Sequence, residues 1–240
     1  MRLDVFLTPG ELSPPDILDR PVVVIDILRA SSSIVQALSA GAKSIYPVAS
    51  IEEALRLANT FGRDDVLLCG ERKCLPIDGF DLGNSPREYT PERVAGRSLI
   101  MTTTNGTPAL LSTTNARETL VASFLNLSAV VARLAESGAP ATVVCAGRER
   151  RFSLDDAVCA GAIVRALCGE RFAAGEGLPD TAHAAMVLAE SRFDDLKSLF
   201  AGTAAGRQLV EAGLGEDLEF CAQVYRHDIV PRFHNGQITL

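Results

Sequence analysis

The apolar positions of this chain fall into short runs separated by helical patterns. The N-terminal stretch 1–8 reads as a strand. Pro21 opens the run 22–28, interrupted by one charged residue, Asp26. A continuous apolar run bounded by turn residues predicts a strand buried on both faces. A helical pattern starts in Ser31-Ser32-Ser33 and stops at Gly41. Positions 44–48 predict the next strand, and Ser50-Ile51-Glu52-Glu53 is a capping box opening a helix that runs to Phe61-Gly62. Further strands are expected at 66–69, 98–103, 118–122 and 141–146. Helices are expected at 108–111, 125–136, 154–168, 181–200 and 204–211. Asn235-Gly236, between 229–232 and 237–240, is a hairpin signal.

This alternation predicts an α/β fold: a three-layer α/β/α arrangement around a mostly parallel, mixed sheet. The C-terminal hairpin is expected to make a mixed edge. A strand, polar turn and helix recur at 22–37, 99–111 and 143–163, a rhythm that allows two similar, intimately packed lobes. Residues 1–240 contain no clear linker and are expected to form one domain. The pattern is weakest at 169–179, the expected lobe boundary.

One segment fits neither period. Residues 70–86 follow the strand at 66–69 and carry Leu75, Ile77, Phe80 and Leu82, too many apolar anchors for a disordered linker. They also carry Glu71, Asp78 and Asp81 beside Arg72, Lys73 and Asn84. That is the chemistry of a loop that holds a hard cation and an anion together.

Composition narrows the function. Of 240 residues, 47% are hydrophobic and 5% aromatic, so the core is large and aliphatic. The formal net charge of -7 argues against a nucleic-acid partner, and any anion site must be a local cluster of Arg and Lys. No apolar run reaches the ~18 residues of a membrane span, and the N-terminus is too short and acidic for a signal peptide. Six Cys without a C-x-x-C pair read as reduced core thiols of a cytoplasmic protein. Three scattered His give no zinc pattern. The composition allows a homodimer without demanding one.

In open α/β sheets, ligands gather beyond the carboxyl ends of the strands. Four polar loops leave such ends. The first is Asp26 with Arg29, Ser31 and Ser32: a costly carboxylate in an apolar run, then hydroxyls where a helix start favours an anion. The second is the segment 70–86, where Glu71 and Asp81 are candidate Mg²⁺ ligands and Asn84 and Ser85 add neutral polar groups. The third, Thr102 to Thr107, offers Thr103, Thr104, Asn105 and Thr107 as a phosphate cradle. The fourth is basic: Arg148, Arg150 and Arg151 suit bidentate capture of phosphate, sulfonate or carboxylate. Asp155 and Asp156 follow it, and serve equally well as ordinary helix-start residues. The P-loop, G-x-G-x-x-G, G-x-S-x-G and D-x-D patterns are absent. The residues point to an acid-rich, Arg-assisted site for a small phosphorylated anion with Mg²⁺.

Several strings carry a resemblance. Val24-Ile25-Asp26-Ile27-Leu28-Arg29-Ala30-Ser31-Ser32, Gly79-Phe80-Asp81-Leu82-Gly83-Asn84-Ser85-Pro86 and Thr103-Thr104-Asn105-Gly106-Thr107 resemble the 2-phosphosulfolactate phosphatase (ComB) family. So do Ser153 to Gly161, Gly206 to Asp217 with Cys221, and Val230-Pro231. The resemblance implies a Mg²⁺-dependent phosphatase that converts (2R)-2-phospho-3-sulfolactate to 3-sulfolactate, a step towards coenzyme M. On that expectation Glu71, Asp81 and Asp26 hold the metal. Asp26, Arg29 and Asn105 serve catalysis. Ser31, Ser32, Asn84, Ser85, Thr103, Thr104, Thr107, Arg148 and Arg151 bind a phosphorylated, sulfonated acid. One departure stands out: where family members often carry a Gly-rich segment after Gly-Glu, this chain reads Arg72-Lys73-Cys74. The alternatives are a phosphatase for another small phosphorylated acid or sugar, and a non-catalytic anion-binding protein.

Overall fold

A computed structural model describes residues 1–62, 65–173 and 177–240. In chain order its strands are β1 (Leu3–Phe6), β2 (Pro21–Ile25), β3 (Ser44–Pro47), β4 (Val66–Arg72), β5 (Leu75–Pro76) and β6 (Ser98–Thr102), then β7 (Glu118–Ala122), β8 (Ala141–Cys145), β9 (Arg232–His234) and β10 (Gln237–Thr239). The helices are α1 (Pro14–Ile17), α2 (Ala30–Ser39), α3 (Ile51–Ala58), α4 (Pro91–Val94), α5 (Gly106–Leu111) and α6 (Leu127–Ser137), then α7 (Leu154–Ala173), α8 (Asp180–Arg192), α9 (Leu196–Gly202), α10 (Ala204–Glu211) and α11 (Glu216–Cys221).

The strands form one mixed sheet in the order β1-β8-β2-β7-β9-β10-β3-β6-β4-β5. The first four run parallel, and so do β3, β6 and β4. Between these groups lies the hairpin β9-β10, antiparallel to both neighbours. The hairpin expected at an edge therefore sits at the centre, where it closes the gap between two parallel groups. Its core-facing residues Phe233 and Ile238 are buried, as a central position requires.

Consecutive residues of β2 serve opposite faces. Val22 and Val24 pack with Ile34 and Leu38 of α2 and Leu110 of α5, while Val23 and Ile25 pack with Val130 of α6 and Ile163 of α7. This is the period of two expected of a strand covered on both sides. The face carrying α2 and α5 also holds Ile45, Leu99 and Met101 from the second parallel group, so both groups share one core.

Three antiparallel steps reverse the second group relative to the first. Strand twist of about 20–25° per step accumulates to roughly 100–125° over the five steps from β2 to β6. That rotation turns the carboxyl ends of the two groups towards each other, and their loops meet.

Two further sequence expectations need correction. Segment 70–86 is more regular than its pattern suggests. β4 continues to Arg72 and folds back as β5. Leu82 then bridges Cys69 in parallel, while its amide donates to the Leu68 carbonyl at 3.1 Å. Leu82 and Tyr89 are fully buried anchors, and the Tyr89 hydroxyl donates to the Gly83 carbonyl at 2.7 Å. The single helix expected at 181–200 is broken by a 3₁₀ turn, Phe193–Asp195, into α8 and α9. The boundary expected near 169–179 falls in part on residues 174–176, outside the described residues.

Candidate active site

The loops after β2, β4, β6 and β8 enclose a cavity of about 240 Å³. Its lining includes Asp26, Glu71, Asp155 and Asp156 with Arg29, Arg72, Lys73 and Arg148. A close packing contact explains why Gly106 opens α5. A Cβ there would lie 2.7 Å from Asp26 Oδ2 and 2.4 Å from Ala30 Cβ, so only glycine lets α5 approach the acid. Gly70, with φ of 146°, plays a similar part: its missing Cβ would fall 2.0 Å from the Thr102 carbonyl oxygen.

Asp26 lies just beyond β2 and is 8% exposed. Its Oδ1 accepts from the Ala30 amide at 3.2 Å, and its carbonyl accepts from the Ser31 amide at 2.8 Å. The start of α2, expected to hold an exogenous anion, is thus occupied by this carboxylate. Burial pushes the Asp26 acid up to about 7, and the negative charges of Asp155 and Glu71 add to the effect. Asp156 is the clamp of the site. Its Oδ1 accepts from the Ile27 amide at 2.8 Å and its Oδ2 from the Gly147 amide at 2.9 Å. Burial, reinforced by Asp155 and Asp26, raises its pKa well above the usual carboxylate range. Asp155 accepts from the Ser153 hydroxyl at 2.6 Å, and burial raises it too.

Glu71 ties three segments together. One oxygen accepts from the Thr104 amide at 2.7 Å and the other from the Cys74 amide at 2.9 Å. Arg29 is nearly fully buried. It donates to Asp217 Oδ2 at 2.7 Å and to the Cys74 carbonyl at 2.7 Å. Arg72 donates to the Glu71 carbonyl at 2.7 Å and Thr102 Oγ1 at 2.9 Å. Arg148 donates to Gln208 Oε1 at 2.8 Å. Asn84 lines the same cavity, and its buried Oδ1 has no hydrogen-bond partner among the described residues.

The structure brings Asp26, Arg29, Glu71, Asn84, Thr104, Asn105 and Arg148 to one cavity. Other expected residues face elsewhere. Asp81 is exposed and outside the lining; its Oδ2 accepts from the Leu68 amide at 2.8 Å, so it serves the loop's backbone. The Ser31 hydroxyl accepts from the Asp26 amide and that of Ser32 donates to the Ile27 carbonyl. Ser85 donates to Asp217 Oδ1 at 2.6 Å. Thr103 and Thr107 cap each other reciprocally, each amide donating to the other's hydroxyl. The hydroxyls of Ser31, Ser32, Ser85, Thr103 and Thr107 thus help to hold the loops, while Thr104 lines the cavity. Arg151 lies in a neighbouring cleft with Phe152 and Thr203.

Asp217 is the main residue missed. It lies fully buried in α11, which the pattern at 204–211 did not reach. Its signal was position: Leu214, Leu218 and Cys221 share the apolar face on which Asp217 falls, and a carboxylate there needs a partner.

The donors of this cavity are hard oxygens: Asp26, Glu71 and the unpartnered Asn84 Oδ1. Among the described residues no group of three or more His, Cys, Asp or Glu is arranged to hold a metal ion. Mg²⁺ does not require one, because it keeps several waters and takes one or two carboxylates with substrate phosphate. The residues present fit that kind of site.

An α/β protein with buried acids and arginines converging beyond its strand ends is built to handle a small, highly charged anion. Comparison with known proteins gives that class its family. The profile of 2-phosphosulpholactate phosphatase matches residues 6–236. A protein of Caldanaerobacter subterraneus subsp. tengcongensis named "Probable 2-phosphosulfolactate phosphatase" is 41% identical over 236 residues, 98% of this chain and 97% of its own length. Proteins of the same name from Thermotoga maritima and Clostridium acetobutylicum are 42% and 37% identical over 238 residues, with 98% and 100% of their own lengths covered. The chain belongs to the 2-phosphosulfolactate phosphatase family, as its resemblance implied. Among the described residues no helix is long and apolar enough to cross a membrane.

Proposed function

We propose that this chain hydrolyses the phosphomonoester of (2R)-2-phospho-3-sulfolactate, giving 3-sulfolactate and phosphate, with Mg²⁺. The observation that carries this reading is the acid group Asp26, Glu71, Asp155 and Asp156 lining one cavity with Arg29 and Arg148. Ionised acids beside a phosphate dianion repel it, and a divalent cation held by two of them would remove that repulsion. Asp26 and Glu71 would hold it, with the Asn84 amide oxygen beside them. Bound there, Mg²⁺ supplies charge neutralisation for phosphoryl oxygens and a more acidic water.

This chain's own residues do the rest. The reaction breaks the ester P–O bond and forms a new P–O bond, and the leaving alkoxide takes up a proton. In the metal-free protein burial holds the Asp26 acid at about 7; as a ligand of the cation it would be ionised. It is also the nucleophile if the phosphoryl group is first transferred to the enzyme. Asp156 fixes the distance between the loops after β2 and β8. Arg29, held rigid by Asp217 and the Cys74 carbonyl, is a preorganised positive charge for the transferring group. Asn105 accepts from the Glu149 amide at 3.0 Å and so steadies the basic loop that carries Arg148.

Phosphate release from phosphosulfolactate and from an aryl phosphate, each with Mg²⁺ or EDTA, tests the proposal. Metal-dependent release from phosphosulfolactate supports it. Release from the aryl ester alone favours another small phosphate ester. No release from either sinks it.

A further inference from the structure

The turn joining β4 to β5 has two residues, Lys73 and Cys74, flanked by the Arg72–Leu75 pair. Both have positive φ, 52° and 70°. A two-residue hairpin turn of this kind favours glycine or asparagine, because a Cβ in the left-handed region meets the following carbonyl. Lys and Cys are both poor choices for the backbone. Strain of this sort persists where the side chains have a task.

The cavity indicates the task for Lys73. Four cations line it, and three are engaged. Arg29 is paired with Asp217, Arg72 with backbone and Thr102, and Arg148 with Gln208. Among the described residues Lys73 is the lining cation with no hydrogen bond or ion pair, and it is exposed at the cavity's edge. The turn beneath it is fixed, because the Cys74 amide donates to Glu71 and the Cys74 carbonyl accepts from Arg29. An uncommitted ammonium is thus held on a rigid turn beside the acids that handle the phosphate end.

We propose that Lys73 is a specificity-determining residue, whose ammonium binds the sulfonate at the non-reacting end of the substrate. This rests on the phosphatase reading above and deepens it. Lysine suits the role as a point charge on a long stem that reaches an anion without fixed bidentate geometry. Long-range attraction from an exposed cation also raises capture of a multiply charged ester over a neutral one.

The test compares the full-length protein with K73G, K73M and K73R. The first readout is the ratio of kcat/KM for phosphosulfolactate to that for 2-phospholactate, which lacks the sulfonate. The second is binding of 3-sulfolactate by calorimetry. The ratio should fall about tenfold or more in K73G and K73M, mainly through KM, and be largely retained in K73R. K73G should also melt about 2–4 °C higher, because glycine relieves the turn. A higher melting point with the lower ratio rules out loss of fold as the cause. Hydrolysis of both esters with an unchanged ratio in K73G and K73M overturns the proposal and leaves the phosphatase reading intact. If wild type releases phosphate from neither ester, the phosphatase reading fails and calorimetry decides. Weaker 3-sulfolactate binding by K73G and K73M then upholds the role of Lys73, and equal or absent binding overturns it.

Discussion

Arg29 and Asp217, 188 positions apart, form a buried ion pair at 2.7 Å. It joins the loop after β2 to α11, and the Ser85 hydroxyl completes the coordination of Asp217. Both partners are dry, so neither charge has water to fall back on. Removing one partner of such a pair typically costs about 3–5 kcal/mol. Asp217→Ala should lower stability by that order in urea unfolding. It should also lower kcat, because Arg29 is then held by the Cys74 carbonyl alone. Asp217→Asn, which keeps the shape, should fold better than Asp217→Ala and still lose activity. Full activity in a folded Asp217→Ala protein would remove Arg29 preorganisation from the mechanism.

Gly106 sets the distance between α5 and Asp26. A Cβ at this position meets Asp26 Oδ2 and Ala30 Cβ inside contact distance, and Ala30 belongs to the rigid first turn of α2. Overpacking of this kind costs about 1–3 kcal/mol. Gly106→Ala should therefore melt earlier and lose kcat by more than its stability loss explains, since it displaces the acid itself. Steady-state kinetics well below the melting point separate the two effects.

The pH dependence of stability follows from Asp26. Its folded acid lies at about 7, above the ordinary carboxylate value of 3.8. Between those values the folded protein holds a proton that the unfolded chain has lost. Stability then falls as pH rises through that window, and levels off above about 7. Asp155 and Asp156 are raised as well and slope the same way. Urea unfolding in EDTA from pH 4 to pH 8 should show a loss on the order of a few kcal/mol. Asp26→Asn should make the profile shallower, leaving the slope that Asp155 and Asp156 contribute. A stability that rises across this range would contradict the burial of these acids.

The strands were legible in the sequence because burial on both faces leaves uninterrupted apolar runs, as at 22–25 and 141–145. The position of the hairpin was not. Asn235-Gly236 announces a turn, but pairing partners in sequence-distant strands leave no local trace. The site was partly legible for a similar reason. Asp26 betrays itself as a charge in an apolar run, and Glu71 as a charge beside a strand end. Hydroxyls are less legible: Thr103, Thr107, Ser32 and Ser85 look unengaged in sequence, yet in the fold they have backbone groups and Asp217 as partners. Which way a short polar side chain turns is set by packing, not by spacing.

Glu71 and Asp81 separate two readings of the central loop. In sequence both look like metal ligands. In the fold Glu71 lines the cavity and ties Thr104 to Cys74, whereas Asp81 is exposed and accepts from the Leu68 amide. Glu71→Gln should weaken Mg²⁺ binding about 10–100-fold, because a neutral amide replaces a charged donor that also orders its neighbours. Asp81→Asn should leave Mg²⁺ affinity and kcat/KM unchanged and cost less than about 1 kcal/mol, because the amide oxygen can still accept from the Leu68 amide. Calorimetric Mg²⁺ titration of both variants checks the contrast. An equal loss in Asp81→Asn would mean that the segment closes differently around the cation, bringing Asp81 from the surface into the site.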